Sequence, residues 1–400
     1  MHQESLSRTK IRLVSLVSVI AGFLYAFLIY ILSNYFAEVI GEKNVGIMYF
    51  LGYGGLLISL FYLQPLVRRI GKARALYLSL GLTILACAFL TRIDQSFLAL
   101  ALLLAFIVAS STAWVLLDIL LESFSQDQMS GRIRGLYLTL VNLSLIPAPF
   151  LSAATLEKFG YNGVFFVLLL GYIAIFLLSL FAFRNDNAVA LQRILIRETI
   201  RKMISEANLF RIYFISFAMD FFYAIMIVYT PLHLLSLGFS WYDIGIAFTV
   251  MLLPFVLLQY PLGMLADTKM GEKELIIGCL SIAVLATLAV GLFHGNSLVI
   301  WSSLLFLTRV GIAGIEVLRD SYFYKQIDGN DLDVIAFFRT SLPLANIFGA
   351  LSSAILLFFF PLQATFFLVV FVLLAAIIVS LFLDDTKGES ERLDIGTKGA

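Results

Sequence analysis

The residues of this 400-residue chain best equipped for chemistry are a few charges embedded in apolar sequence. Arg309, Glu316 and Asp320 lie at i, i+7 and i+11 in one hydrophobic run, so an α-helix carries all three on a single stripe. Between them sit Gly311, Ala313 and Gly314, small residues that let another helix approach or leave a cavity open. A second run holds a lone carboxylate, Asp220. Ionisable groups facing hydrocarbon are costly and mark a substrate path, a proton path or a structural ion pair. Counting about 1.5 Å of rise per residue puts Arg309 nearest the middle of its run, Glu316 roughly 10 Å further along and Asp320 at its end; Asp220 has a depth comparable to that of Glu316. Such a set can exchange protons, because burial and a like-charged neighbour both favour a neutral carboxyl whereas a nearby arginine favours the charged form. Asp220 and Glu316 are therefore expected to share a cavity with Arg309. A static ion-pair network holding the two helices together is the competing reading.

Placing these charges takes a membrane. Hydrophobic residues make up 61% of the chain and charged residues 13%, against roughly 45–50% and 25% in soluble proteins. With a mean hydropathy of +0.98, the sequence reads as an all-α integral membrane protein. A net charge of +1 gives no nucleic-acid footprint. Cys87 and Cys279 sit inside apolar runs of opposite halves and read as packing residues. His2, His233 and His294 are scattered, and no Walker phosphate loop occurs, so neither a metal site, a cofactor nor direct use of ATP is expected.

Twelve spans are expected at 13–36, 45–67, 73–91, 96–121, 134–156, 162–183, 212–235, 242–265, 274–293, 297–323, 335–359 and 363–383. The first exceeds the apolar core of a signal peptide and is followed by no small-residue cleavage site. If both termini and the even-numbered loops share one side, that side holds 22 of the 27 Lys and Arg. By the positive-inside rule it is cytoplasmic. Residues 1–184 then form one six-helix bundle and 212–384 another, with a tail over 385–400. The joining stretch, 185–211, spaces Leu191, Ile194, Leu195, Ile200, Met203 and Ile204 helically among Arg193, Arg197, Arg201 and Lys202. It reads as a basic amphipathic helix on the bilayer surface, or as a plain solvated linker.

The halves repeat each other. Ser18, Phe23, Tyr25 and Ala26 return as Ser216, Phe221, Tyr223 and Ala224; Gly46-Ile47 returns as Gly245-Ile246; Phe165-Phe166 returns as Phe366-Phe367. A nearly constant offset of roughly 200 residues, with an even number of spans per copy, indicates parallel repeats. Gly263-Met264-Leu265-Ala266-Asp267 followed by Lys269, Gly271 and Lys273 resembles the loop 2–3 signature of the major facilitator superfamily. In the first half Gly71-Lys72 and Arg74 match its end, while Arg68 stands where the Asp is expected.

The resemblance implies alternating-access transport through a cavity lined by spans 1, 4, 7 and 10, and a cytoplasmic latch built on the signature. In the second half Asp267 would face Arg339 or Arg319, with Gly263 and Asp320 beside them. In the first half the signs invert, Arg68, Arg69 and Lys72 being available to Asp118 and Glu122. Tyr25, Tyr223 and Trp114 are aromatic candidates for the cavity wall, and ordinary packing would also place them. Pro147, Pro149 and Pro343 are expected to kink spans 5 and 11. The function expected is secondary, proton-coupled transport of a small molecule by a monomer in a prokaryotic inner membrane, leaning to efflux of an amphipathic compound. Proton symport of a sugar or other polar metabolite is the alternative. A lipid flippase and a polytopic membrane enzyme come after it.

Overall fold

The computed structural model describes residues 2–124, 140–183, 205–266, 270–327 and 332–384. The joining stretch over 185–204, the tail beyond 384 and Asp267 therefore lie outside the described residues, as does the side chain of Glu122. Contacts divide the chain into two units, the first holding the described residues through 183 together with Ser240–Thr249, the second holding the remainder.

In the first unit α1 (His2–Ile40), α2 (Val45–Ile70), α3 (Lys72–Leu90) and α4 (Phe97–Phe124) are joined by short connections. α5 and α6 share one run, Ala148–Ala182, broken at Gly160 with φ 63° and ψ −170°. Expected as two helices and a loop, this pair turns on a single residue. The second half of the chain repeats the design with α7 (Ala207–Ser236), α8 (Trp241–Leu257, resuming after Leu258 as Gln259–Leu265), α9 (Glu272–Leu292), α10 (Leu298–Gln326), α11 (Ser341–Phe359) and α12 (Ala364–Ser380). Among the described residues ten helical stretches are long and apolar enough to span a bilayer. One of them, Leu140–Ala182, is the run that Gly160 divides, and the 17-residue α12 is shorter than the rest. The architecture is that of twelve spans in two six-helix repeats.

Prolines set two departures from the expected spans. The eleventh was read as one kinked helix over 335–359. It is instead a short helix, Leu332–Phe338, then a turn at 339–340, then α11, in which Pro343 occupies the first turn, where no intrahelical N–H is needed. Span 5 is interrupted at Pro147: residues 140–145 are helical, 146–147 form a turn, and the α5 run restarts at Ala148.

The final glycine of the loop signature has a conformational cause in both halves. Gly71, before α3, has φ +89°, and Gly271, before α9, has φ +68°. Any side chain is strained there, so the chain reverses between paired spans only at glycine. Close packing concentrates on α10. A Cβ at Gly311 would lie 2.5 Å from the Cys279 carbonyl oxygen and 2.7 Å from the Ala283 nitrogen, so the α9 and α10 backbones touch.

Candidate functional site

Three helices of the second unit converge on Asp220, which lies on α7 and is 4% exposed. Its Oδ2 accepts a 2.6 Å hydrogen bond from Ser341 Oγ at the start of α11, and Arg319 Nη1 on α10 is 3.6 Å from the same oxygen. Ser216, one turn before Asp220, completes the cluster. Its Oγ lies 3.0 Å from Ser341 Oγ and accepts a hydrogen bond from Arg319 Nη1. A buried carboxylate is tolerated when a donor and an opposite charge meet it, and here α11 supplies the donor and α10 the charge.

Arg319 gathers further acids. Its Nε is 3.4 Å from Oδ1 of the half-exposed Asp320, and Glu316 and Tyr223 lie within its electrostatic reach. Glu316 accepts a 3.1 Å hydrogen bond from Gln259 Nε2, directly after the Leu258 break in α8. One guanidinium thus pairs with Asp220 and Asp320, with Glu316 in electrostatic range.

The constellation expected from spacing changes by one member. Arg309, expected beside Asp220, is 1% exposed and lies over aromatic rings instead, its guanidinium carbon 4.8 Å from the centroid of Phe222 and 5.5 Å from that of Tyr223. A cation over ring faces is held by their quadrupoles. Tyr223 also stacks on Phe255 at 6.5 Å. Arg319, expected at the cytoplasmic gate, takes the place beside Asp220.

Among the described residues the matching position of the first unit carries no charge. Gly22, the repeat mate of Asp220, leaves space for a Cβ only 3.3 Å from Ser144 Oγ. Ser144 stands to Gly22 as Ser341 stands to Asp220, so the repeat keeps the serine and omits the acid. Tyr25 lies 6.5 Å from Trp114, ring to ring, and with Tyr49 and Tyr53 it lines a cavity of about 40 Å³, room for ordered water.

Of the expected gate residues, Arg68 and Arg69 end α2, Lys72 begins α3 and Asp118 lies near the end of α4, all at the same end of their unit. Gly263 ends α8 against α10, where a Cβ would meet Val317 at 3.6 Å, and Arg339 occupies the turn before α11.

Sequence reasoning missed Ser216, Ser341 and Gln259, which carry no charge to single them out. It also missed Glu272, fully buried directly after the Gly271 turn, where it holds Lys325 and accepts a 2.7 Å hydrogen bond from Ser321. Its place beside the signature glycine was the available signal.

Two solved structures share the fold. A bacterial homologue of the iron transporter ferroportin, in an inward-facing state, superposes with a TM-score of 0.70 at 11% identity, covering 93% of this chain and 98% of the other. The structure of a bacterial metal transporter gives a TM-score of 0.63 at 12% identity, covering 93% and 97%. At such identities the likeness is one of fold alone. No curated protein matches the sequence. The profile of the Major Facilitator Superfamily, in contrast, matches residues 14–327, a range that runs from α1 to the end of α10 and takes in the Asp220, Glu316 and Arg319 positions. With most of its length matched and twelve spans in two repeats, the chain belongs to the Major Facilitator Superfamily and is an integral membrane transporter.

Proposed function

We propose that this transporter is proton-coupled, exchanging protons for a small amphipathic solute, and that Asp220 is the group that takes up and releases the proton. The observation that carries the reading is the shared hold on one carboxylate oxygen by Arg319 of α10 and Ser341 of α11. A proton on Asp220 cancels its attraction for Arg319, and the guanidinium is then left to Asp320 and Glu316. Proton binding is thereby converted into altered packing of α7 against α10 and α11, the kind of local charge change that biases a two-state element. The chain acts as a monomer in a prokaryotic inner membrane, and the exchange favours efflux.

The test is proton flux in liposomes carrying purified protein and an internal pH dye, with cationic amphiphiles, neutral sugars and divalent metal ions as the solute panel. Metal ions belong in it because the two similar structures are described as a metal transporter and a ferroportin homologue. Solute-dependent proton flux is expected in wild type and should fall to background, a loss of at least about tenfold, in Asp220→Asn. Unchanged coupling in that variant would remove Asp220 from the mechanism. Protons moving in the same direction as a sugar would replace exchange by symport.

A further inference from the structure

The break in span 11 sits directly beside the Asp220 cluster. The short helix Leu332–Phe338 ends at the turn over 339–340, and α11 starts beyond it with Ser341, the residue that binds Asp220. Within the turn the Thr340 amide and hydroxyl both donate to the Phe337 carbonyl, at 2.9 and 2.7 Å, so the chain is held in this reversal by its own hydrogen bonds.

The short helix lays its last residues across the charged cluster. Phe338 is 7% exposed, its ring stacks on Phe323 at 3.9 Å with 14° between the planes, and the Arg319 guanidinium carbon lies 5.8 Å from its centroid. Tyr213 meets Phe337 at 5.1 Å and Phe338 at 6.4 Å, and its hydroxyl lies 2.9 Å from Thr340 Oγ1. Because the single hydroxyl hydrogen of Thr340 goes to the Phe337 carbonyl, Tyr213 is the donor in this pair.

These rings form a layer at one depth. Tyr213 precedes Asp220 by seven residues on the same face of α7, about 10 Å nearer the cytoplasmic end. Phe323 follows Arg319 by four residues on α10, one turn nearer that end, and Phe338 precedes Ser341 by three. Each of the three chain segments that meet at Asp220 therefore places a ring on its cytoplasmic side. Asp220 is 4% exposed and Ser216 is fully buried, so the layer and the helices around it keep the cluster almost closed to solvent.

The hold on the layer is slight. A helix of seven residues has little stability of its own, and this one is fastened by ring contacts and the Tyr213–Thr340 hydrogen bond. Short segments held in this way open at lower cost than whole spans do. An unbroken helix could pack the same rings; the turn is what lets the layer move while Ser341 stays on Asp220. We propose that Leu332–Phe338 is a lid that opens and closes the cytoplasmic route to the Asp220–Arg319 cluster, hinging at the 339–340 turn with Phe338 as its plug. The lid rests on the proton-coupling reading for its purpose, since it governs the route of that proton, while its movement is measured without it.

The test is thiol labelling of the full-length protein carrying Ser216→Cys, Cys87→Ala and Cys279→Ala, in membrane vesicles of both orientations, with a sulfonated methanethiosulfonate that does not cross bilayers. Adding Phe338→Ala should raise the labelling rate from the cytoplasmic face by at least about tenfold and leave the rate from the outer face unchanged. Tyr213→Phe keeps the ring and removes only the hydroxyl that holds Thr340; it should raise the cytoplasmic rate severalfold, and it decides the matter alone if Phe338→Ala does not fold. An unchanged cytoplasmic rate in these variants, or an equal rise from both faces, overturns the lid. In liposomes, a solute-free proton leak should appear in Phe338→Ala and vanish in Phe338→Ala/Asp220→Asn. Faster labelling with no such leak would keep the lid and remove Asp220 as the proton group.

Discussion

Asp220 is held by charge from one side and by a hydroxyl from the other, and the two have different consequences on removal. Arg319→Gln leaves a carboxylate that is 5% exposed without its counter-charge. Breaking a buried pair from one side costs about 3–5 kcal/mol; because Arg319 is itself 14% exposed, about 2–3 kcal/mol of apparent stability is the expected loss here. The double variant Arg319→Gln/Asp220→Asn removes both charges and should recover most of that loss, which thermal unfolding of the three variants would show. Simple additivity would mean that the 3.6 Å approach carries no coupling energy. Asp220 could be singled out in the sequence because an acid in an apolar run is costly and therefore conspicuous, whether its role is functional or structural. Its partner could not be, since α10 carries two arginines ten residues apart and long side chains reach along a helix by more than a turn. Ser341 was invisible for a further reason. Serine is unremarkable in any helix, and only the fold places it opposite the acid.

At the scale of the helix, the α9–α10 hairpin is where the packing tolerates least. Gly311→Ala would push a methyl into the Cys279 carbonyl and the Ala283 nitrogen, both backbone atoms that cannot rotate away. The expected result is destabilisation by about 1–3 kcal/mol. Gly278 on α9 has nothing within 4 Å of an added Cβ, so Gly278→Ala should be neutral or stabilise by up to about 1 kcal/mol through helix propensity. Melting temperatures of the two variants side by side would check this, and equal effects would refute the close approach. Most helices were legible because apolar runs of about 20 residues have few alternatives in a bilayer. Their interruptions were less so. A proline tells where a hydrogen bond is missing and not whether the chain bends, as in a kinked span, or restarts, as α11 does after its turn. The close reversal at Gly160 was hidden because the gap between spans 5 and 6 reads as an ordinary loop, and only the φ of 63° at that glycine makes it a single-residue turn.

At the scale of the whole molecule, the repeat was legible because matched residues such as Ser18 with Ser216 and Tyr25 with Tyr223 recur at a nearly constant offset; the structure adds turn glycines at matching places, Gly71 with Gly271 and Gly41 with Gly238, all with positive φ. What the halves do not share is charge. The second unit carries three carboxylates around Arg319, whereas the first has Gly22 and Ser144 at the matching place. That asymmetry has an electrical consequence. With all four groups ionised the Arg319 cluster is a net anionic centre, and under the proposed coupling a cation occupying it would compete with the proton for the same charge. Exchange of one proton for one monovalent cation then moves no net charge across the bilayer and is indifferent to membrane voltage. Exchange for a neutral solute carries one charge per cycle, worth about 2.3 kcal/mol per 100 mV. Imposing a potassium diffusion potential on the liposomes would therefore report the charge of the solute, since for one proton exchanged a rate that ignores the voltage belongs to a monovalent cation and a rate that follows it to a neutral cargo or a divalent ion.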